Sequence, residues 1–143
     1  MDDYEKRETI HFLMRYRNAT MNIESLTAEK LRVESSLHSI TANMDGGNGG
    51  GSSTADKMGA DVARLVDICN RISEEIIEYE KARKEVRRVI DRVWNKNEIL
   101  GMDLHYRYID FRTPFTTAHD LGYSTGYERK VHAQALAMAY KYM

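Results

Sequence analysis

The chain has 143 residues, of which 42% are hydrophobic and 30% are charged, and its formal net charge at pH 7 is −1. A single proline among so many charged residues favours long amphipathic helices over a sheet protein. The one cysteine, Cys69, excludes an internal disulfide and every multi-cysteine zinc site. No N-terminal stretch resembles a signal peptide and no apolar run is long enough for a membrane span, so we expect a soluble, cytoplasmic protein.

Two long segments carry a heptad repeat, in which apolar residues recur at alternating four- and three-residue steps. In the first segment, from about residue 4 to 44, the repeat consists of Phe12, Tyr16, Ala19, Ile23, Leu26, Lys30, Val33, Leu37, Ile40 and Met44. In the second, from about residue 55 to 94, it consists of Met58, Val62, Leu65, Cys69, Ile72, Ile76, Tyr79, Arg83, Val86, Ile90 and Val93. Each repeat contains one cation, and the sustained period predicts two long helices.

The stretch "DGGNGGGSS", residues 45–53, separates these helices and is too rich in glycine to stay helical, so we expect a flexible tether. It lacks the Gly-Lys-Ser/Thr ending of a phosphate-binding loop. A short tether between helices of matched length predicts an antiparallel helical hairpin over 1–96, with paired residue numbers that sum to about 100. Further apolar residues outside the repeat favour burial against a second copy, as a homodimer, or against the C-terminal unit: Met14, Met21, Ile68 and Ile77.

Residues 97–143 are predicted to form a separate domain that starts where "NKN", residues 95–97, breaks the heptad repeat. Either asparagine is a suitable N-cap for a helix from about residue 98 to 109. Three large residues then share one face of that helix: Leu100, Leu104 and Tyr108.

The stretch "FRTPFTTAHDLG" predicts a short helix, with Thr113 as its N-cap, Pro114 at its first position and Gly122 as its terminator. Ser124 or Thr125 caps the last helix, and Thr125 has the capping-box spacing to Glu128. Its predicted inward stripe is Tyr127, Val131, Ala135 and Met138.

Three short helices with a glycine-containing turn before the last one are typical of a helix-turn-helix domain. The predicted fold is therefore all-α, a long helical hairpin followed by a helix-turn-helix domain.

Two stretches, "DLHYRYIDFRT" and "LGYSTGYERKVHAQAL", resemble the C-terminal part of phage-encoded transcriptional regulators of the ArpU and RinA type from Gram-positive bacteria. The matching residues are Arg107, Tyr108, Gly122, Tyr123, Ser124, His132, Ala135 and Leu136. The helix before Gly122 departs from the family, which has a tryptophan, acidic residues and an isoleucine there, and Phe115 is the expected aromatic replacement. The resemblance implies a domain similar to region 4 of sigma factors, DNA binding in a bacterial host cell, control of phage late genes, and contact with RNA polymerase.

Charge gives two opposing indications about DNA. From Glu98 to the end, five Lys/Arg and five Asp/Glu cancel, which is unfavourable for a domain that neutralises phosphates. The preceding stretch 81–96 has seven basic and two acidic residues, and Lys84, Arg88, Arg92 and Lys96 follow one another at i, i+4 steps. Because like charges so spaced repel, they need an anionic partner. DNA phosphate is one candidate, and the hairpin register favours the other, the acidic chain start: Asp2, Asp3, Glu5 and Glu8.

The candidate DNA-binding residues follow from these elements. The outward face of the last helix offers Thr125, Arg129 and His132 for base reading, and Gly126 allows a close approach to DNA. Lys130 and Arg112 are placed to contact the DNA backbone, and His132 is equally suited to be a packed, hydrogen-bonding histidine. The stripe before the domain supplies further phosphate contacts: Lys84, Arg88 and Arg92.

No other chemistry is indicated. The histidines lack paired metal-ligand spacing, and Cys69 occupies a heptad position, so we expect neither an enzyme nor a metal or cofactor site. The sequence thus favours a dimeric, double-stranded-DNA-binding transcriptional regulator. The alternatives are a coiled-coil interaction or assembly protein without DNA binding, for which the neutral charge of the C-terminal domain argues, and a small phage DNA-packaging subunit.

Overall fold

A computed structural model describes residues 1–45 and 52–143 of the chain. These residues form five helices and no strand, which confirms the all-α prediction. The helices are α1 (Asp3–Asp45), α2 (Ser52–Lys96), α3 (Glu98–Tyr108), α4 (Pro114–Leu121) and α5 (Thr125–Tyr142). Both long helices extend into the ends of the predicted tether 45–53, and the rest of that tether lies outside the described residues. Within the described ranges, no helix combines the length and the apolar character that crossing a bilayer requires.

The helices are distributed over two compact units. The first unit comprises Met1–Ala19 and Tyr79–Met143, and the second comprises Thr20–Glu78. The predicted domain boundary between residues 96 and 97 falls inside the first unit. Leu13 of α1 and Val93 of α2, both fully buried, share one core with residues of α3 and α5.

In the second unit, α1 and α2 run antiparallel. Asn22 lies beside Glu75, and the Ser36 hydroxyl donates to Asp61 at 2.9 Å, so rising numbers in α1 meet falling numbers in α2. Buried aliphatic side chains from both helices fill the interface: Val33, Ile40 and Ile68.

The buried stripe of α2 differs in part from the predicted heptad repeat. Val62 and Ile76 were expected inside, but they are 47% and 46% exposed, whereas Ile68 is 1% exposed. Steps of three and of four residues both return to the same helix face. An apolar pattern alone therefore does not decide which of two neighbouring stripes is buried. In the first unit the same shift buries Ala82 and leaves the predicted heptad residue Arg83 exposed.

The first unit has one hydrophobic core. Helices α1, α2, α3 and α5 contribute buried side chains to it, and α4 contributes none. The members of this core are Leu13, Val86, Val89, Ile90, Val93, Leu100, Leu104, Tyr108, Val131, Ala135, Leu136 and Ala139. The predicted inner face of α3 is therefore confirmed. Two contacts outside this core also join α1 to α2, an ion pair between Arg15 and Glu85 and a ring contact between Tyr16 and Tyr79.

The ends of α3 and α4 follow the cap chemistry of the sequence. Asn97 caps α3 by accepting from the backbone N–H of Leu100 at 3.2 Å. Thr113 caps α4, Pro114 is its first residue, and Gly122 ends it in the left-handed conformation at φ 74°. All of these predictions are confirmed because each depends on the chain within one helical turn.

The start of α5 differs from two predictions, the capping box and the inward position of Tyr127. Ser124 is the N-cap, since its hydroxyl accepts from the backbone N–H of Tyr127 at 3.1 Å. Glu128 does not close a capping box with Thr125, because its side chain is 2% exposed and turns inward. Tyr127, predicted to point inward, is 51% exposed.

Phe115 was expected to supply the aromatic packing of α4, and the structure contradicts this. Its side chain is 70% exposed, while Thr117 and Ala118 are the buried residues of that helix. The buried side chains of this short helix are thus small ones.

Candidate nucleic-acid interface

The N-terminal half of α5 presents a solvent-exposed surface directly after a tight turn. Three residues, from Gly122 to Ser124, separate α4 from α5. Four of the predicted DNA-binding residues on α5 are exposed: Thr125, Gly126, Arg129 and Lys130. The turn therefore brings these four residues together on the open end of one helix.

This exposed surface of α5 carries no carboxylate. Glu128 is the one acidic residue of the helix, and it is buried. The exposed charged residues of α5 are consequently all cations: Arg129, Lys130 and Lys141. Such a surface is electrostatically suited to a polyanion.

Glu128 is buried because a polar network between α3 and α5 holds it. Arg107 Nη1 donates to Glu128 Oε1 at 2.9 Å. Asp103, which is fully buried, lies with its Oδ2 2.7 Å from His132 Nδ1, and His132 Nε2 lies 3.1 Å from the Tyr108 hydroxyl. We call these five residues the α3–α5 network.

The protonation of His132 follows from its surroundings. Burial and, after it, the charge of Arg107 lower the pKa of His132 from 6.5 to about 4, so the imidazole is neutral at pH 7. A neutral ring has one donor and one acceptor, and the partners assign Nδ1–H as the donor to Asp103. Burial raises the pKa of Tyr108 to about 12, so its hydroxyl donates to His132 Nε2.

Asp103 and Glu128 offer carboxyl oxygens that lie within 4.8 Å of each other. Asp103 Oδ1 is buried and has no hydrogen-bond partner among the described residues. Burial raises the pKa of Asp103 and, together with the hydrogen bond to Asp103, the pKa of Glu128. Both carboxyls therefore take up a proton more readily than exposed carboxyls do, and Arg107 opposes this effect at each of them.

Asp103, Glu128 and His132 also offer ligand atoms within 4.8 Å of one another, the spacing of a small metal site. Both ring nitrogens of His132 already have partners, however, and the Arg107 guanidinium beside Glu128 repels a cation. The geometry therefore favours a hydrogen-bonded network over a metal centre. Sequence reasoning missed the network, although Asp103 to Arg107 and Glu128 to His132 are both i, i+4 pairs.

Two of the predicted DNA contacts have partners within the protein. The side chain of His132 is 12% exposed and both its ring nitrogens are bonded, which favours the packed, hydrogen-bonding alternative of the prediction. Arg112 is half-buried, pairs with Asp120 and lies over the Tyr106 ring at 4.6 Å, so its charge is already matched within the protein.

The basic stripe of α2, defined as Lys84, Arg88 and Arg92, is exposed within the first unit. Sequence reasoning favoured ion pairs between this stripe and the acidic chain start. Over residues 1–45 and 52–143, none of the three forms an ion pair. Asp2 and Glu5 instead form a reciprocal cap at the start of α1, with bonds of 3.1 and 2.8 Å.

Comparison with known proteins found no relative of this chain. The likeness to ArpU- and RinA-type regulators therefore depends on the quoted residues alone. The chain matches no protein-family model, no curated protein and no solved structure.

Proposed function

We propose that this protein is a DNA-binding transcriptional regulator that reads the major groove with the N-terminal half of α5. The observation that carries the proposal is the exposed surface of Thr125, Gly126, Arg129 and Lys130, which follows a tight turn and contains no carboxylate. A helix start of this kind fits the geometry by which helix-turn-helix proteins place a helix in the groove. Arg129 is the base-reading candidate, since arginine is the usual partner of guanine.

The neutral total charge of residues 98–143 does not argue against this function once burial is considered. Of the five acidic residues, Asp103 and Glu128 are buried, and Asp110 and Asp120 are engaged by His105 and Arg112. The acids are thus mostly turned inward or paired. A phosphate at the surface of α5 meets cations, although the summed charge is zero.

The basic stripe of α2 supports a second, sequence-independent contribution. Lys84, Arg88 and Arg92 follow one another at i, i+4 steps and are free of ion pairs among the described residues. Cations in such a row bind the DNA backbone by releasing counterions. We assign general affinity to the stripe and base preference to α5.

The resemblance to ArpU- and RinA-type regulators extends the proposal to control of phage late genes in a bacterial cytoplasm and to contact with RNA polymerase. A homodimer would present two copies of α5 to two half-sites about one helical turn apart or a multiple of it. These finer points depend on the resemblance and on the exposed apolar residues of the long helices.

Fluorescence anisotropy with duplex DNA tests the proposal at low and moderate salt. Arg129→Ala should cost about 1–3 kcal/mol on the preferred sequence and relax the preference, because one base contact is lost. Arg88→Ala should weaken binding to all duplexes and lower the salt slope by about 1. Lys57→Ala, which removes an exposed cation of the second unit, is the charge-matched control. Absence of salt-sensitive binding in the wild type at low salt would refute DNA binding.

A second candidate function is that of a coiled-coil interaction or assembly protein. The observation favouring it lies in the second unit, where α2 exposes four aliphatic side chains by 46–70%: Val62, Val66, Ile76 and Ile77. Exposed aliphatic residues in such number indicate a protein contact. Sedimentation of the wild type and of Val66→Glu distinguishes the cases, since loss of assembly without loss of DNA affinity assigns this surface to assembly alone. A ring-like oligomer would point to the third alternative, a DNA-packaging subunit.

A further inference from the structure

A cavity of about 450 Å³ lies within the first unit, between the start of α1, the loop from α3 to α4, and α5. Four cationic side chains line it, and among the described residues that line it none is a carboxylate. The four are Lys6 and Arg17 from α1, Arg107 from α3, and Arg112 from the loop. We call this space the basic cavity.

The charge of the basic cavity is only partly neutralised. Arg107 and Arg112 each hold one carboxylate, from Glu128 and Asp120 respectively. Lys6 makes no ion pair with any described residue, and neither does Arg17. Two cations without counter-charges therefore line a partly enclosed space, where an anion is attracted more strongly than on an open surface.

Most of the remaining wall residues are apolar or aromatic, and Thr113 and His132 are polar. Ile10 and Met14 lie between Lys6 and Arg17 along one face of α1, and the eleven-residue separation of the two cations corresponds to about 16 Å of helix. Tyr108 and Phe111 supply aromatic surface on the opposite side. The cavity is thus complementary to a molecule with a flat apolar body and an anionic group.

The backbone at the cavity wall is unusual at Phe111. Its φ is 57°, the left-handed conformation that residues other than glycine rarely adopt, and it is the one non-glycine residue with positive φ among the described residues. The ring packs against Tyr16 with centroids 5.4 Å apart. A strained residue held in place by packing often marks a ligand site.

We propose that the basic cavity binds a small organic phosphate. The chemical class is a phosphomonoester that carries an aromatic group, as mononucleotides do. A guanidinium group can donate two parallel N–H bonds to phosphate oxygens, and the charge of a doubly ionised phosphomonoester offsets that of the two cations without ion pairs. The volume lies within the range of about 300–1,000 Å³ that is usual for small-molecule sites. A phosphodiester of bound DNA has related chemistry, and the experiment below separates the two sources.

Nuclear magnetic resonance titration of the full chain tests the proposal, with phenyl phosphate as the probe and with inorganic phosphate and phenol as its two halves. We expect saturable shifts concentrated at the amides of Phe111 and His132, and tighter binding of phenyl phosphate than of either half. The double variant Lys6→Gln/Arg17→Gln should weaken this binding at least about tenfold, since the two positive charges of the cavity that lack ion pairs are lost.

The matched control is Arg7→Gln/Lys57→Gln, which removes the same charge from exposed positions outside the cavity and should leave the affinity unchanged. If the double cavity variant does not fold, Lys6→Gln alone, at an exposed position, should weaken binding about threefold. Shifts that do not saturate, or equal affinity in the cavity variant, would overturn the proposal.

Competition with duplex DNA separates the two phosphate sources. Phenyl phosphate that stays bound when duplex is added, and that binds Arg129→Ala as it binds the wild type, supports a small-molecule site independent of DNA reading. Two results together would assign the cavity to the DNA backbone and overturn the small-ligand proposal. Duplex DNA would displace phenyl phosphate, and the Lys6→Gln/Arg17→Gln variant would lose affinity for duplex by the same factor as for phenyl phosphate.

Discussion

Replacing His132 by glutamine should change how the stability of the fold depends on pH. In the folded protein the pKa of His132 is lowered from 6.5 to about 4 by burial and by Arg107. A lowered folded-state pKa means that the contribution of this residue is fully present above pH 6.5 and is lost as pH falls towards 4. A difference of about 2.5 pH units, at about 1.4 kcal/mol each, corresponds to about 3 kcal/mol of unfolding free energy.

The variant His132→Gln keeps a polar side chain but removes this titration. At pH 7 we expect it to be less stable than the wild type by about 1–3 kcal/mol, because the Tyr108 hydroxyl loses its acceptor. The difference between wild type and variant should shrink by about 3 kcal/mol between pH 6.5 and 4 and reach zero or change sign. The raised pKa values of Asp103 and Glu128 have the opposite pH dependence, and comparing the two proteins largely removes their effect.

Urea denaturation followed by circular dichroism at pH 7, 5.5 and 4 measures this difference. His11→Gln, at an exposed histidine of α1, is the control and should follow the wild-type curve. A difference that stays constant with pH would refute the neutral state of buried His132. A difference that grows as pH falls would show instead an imidazolium paired with the Asp103 carboxylate.

Four further substitutions are tested by the same urea measurement. Gly101→Ala should destabilise the fold by at least about 1–3 kcal/mol, because the new Cβ would lie 2.5 Å from the Cα of Trp94. Gly59→Ala lies on an open helix surface and should instead stabilise the fold by about 0.5–1 kcal/mol. Gly122→Ala should cost about 1–2 kcal/mol through its left-handed φ of 74°, and an unchanged midpoint would contradict its role as the end of α4. Asp103→Asn removes one of two neighbouring carboxyls with raised pKa values, so the loss of stability as pH rises above about 4 should become smaller, and an identical pH profile would argue against the raised pKa of Asp103.

The sequence predicted those parts of the fold that depend on neighbouring residues. The caps at Asn97 and Thr113 and the terminator at Gly122 each require a donor, an acceptor or a backbone angle within one turn. The helices they limit were therefore predicted to within a residue or two. Lys130 and Arg129 were placed correctly at the surface because they lie opposite the apolar residues of α5.

The α3–α5 network required tertiary information. The spacing of Glu128 from Thr125 fits a capping box, but Arg107 offers the carboxyl a buried partner on another helix, and this contact prevails. His132 was likewise compatible with a groove-facing or a packed position, and the choice depended on Asp103 and Tyr108, which lie more than twenty residues earlier in the chain.

The α3–α5 network also fixes the rotation of α5 about its own axis. A purely aliphatic interface tolerates small rotations, since one methyl group replaces another at little cost. Hydrogen bonds at His132 and Glu128 do not tolerate such rotations, because each donor has one acceptor at a defined distance. Successive helical residues differ by about 100° in direction, so a slip of one position would turn Arg129 into the core and expose Glu128. The buried polar residues thereby determine which side chains of α5 the solvent meets.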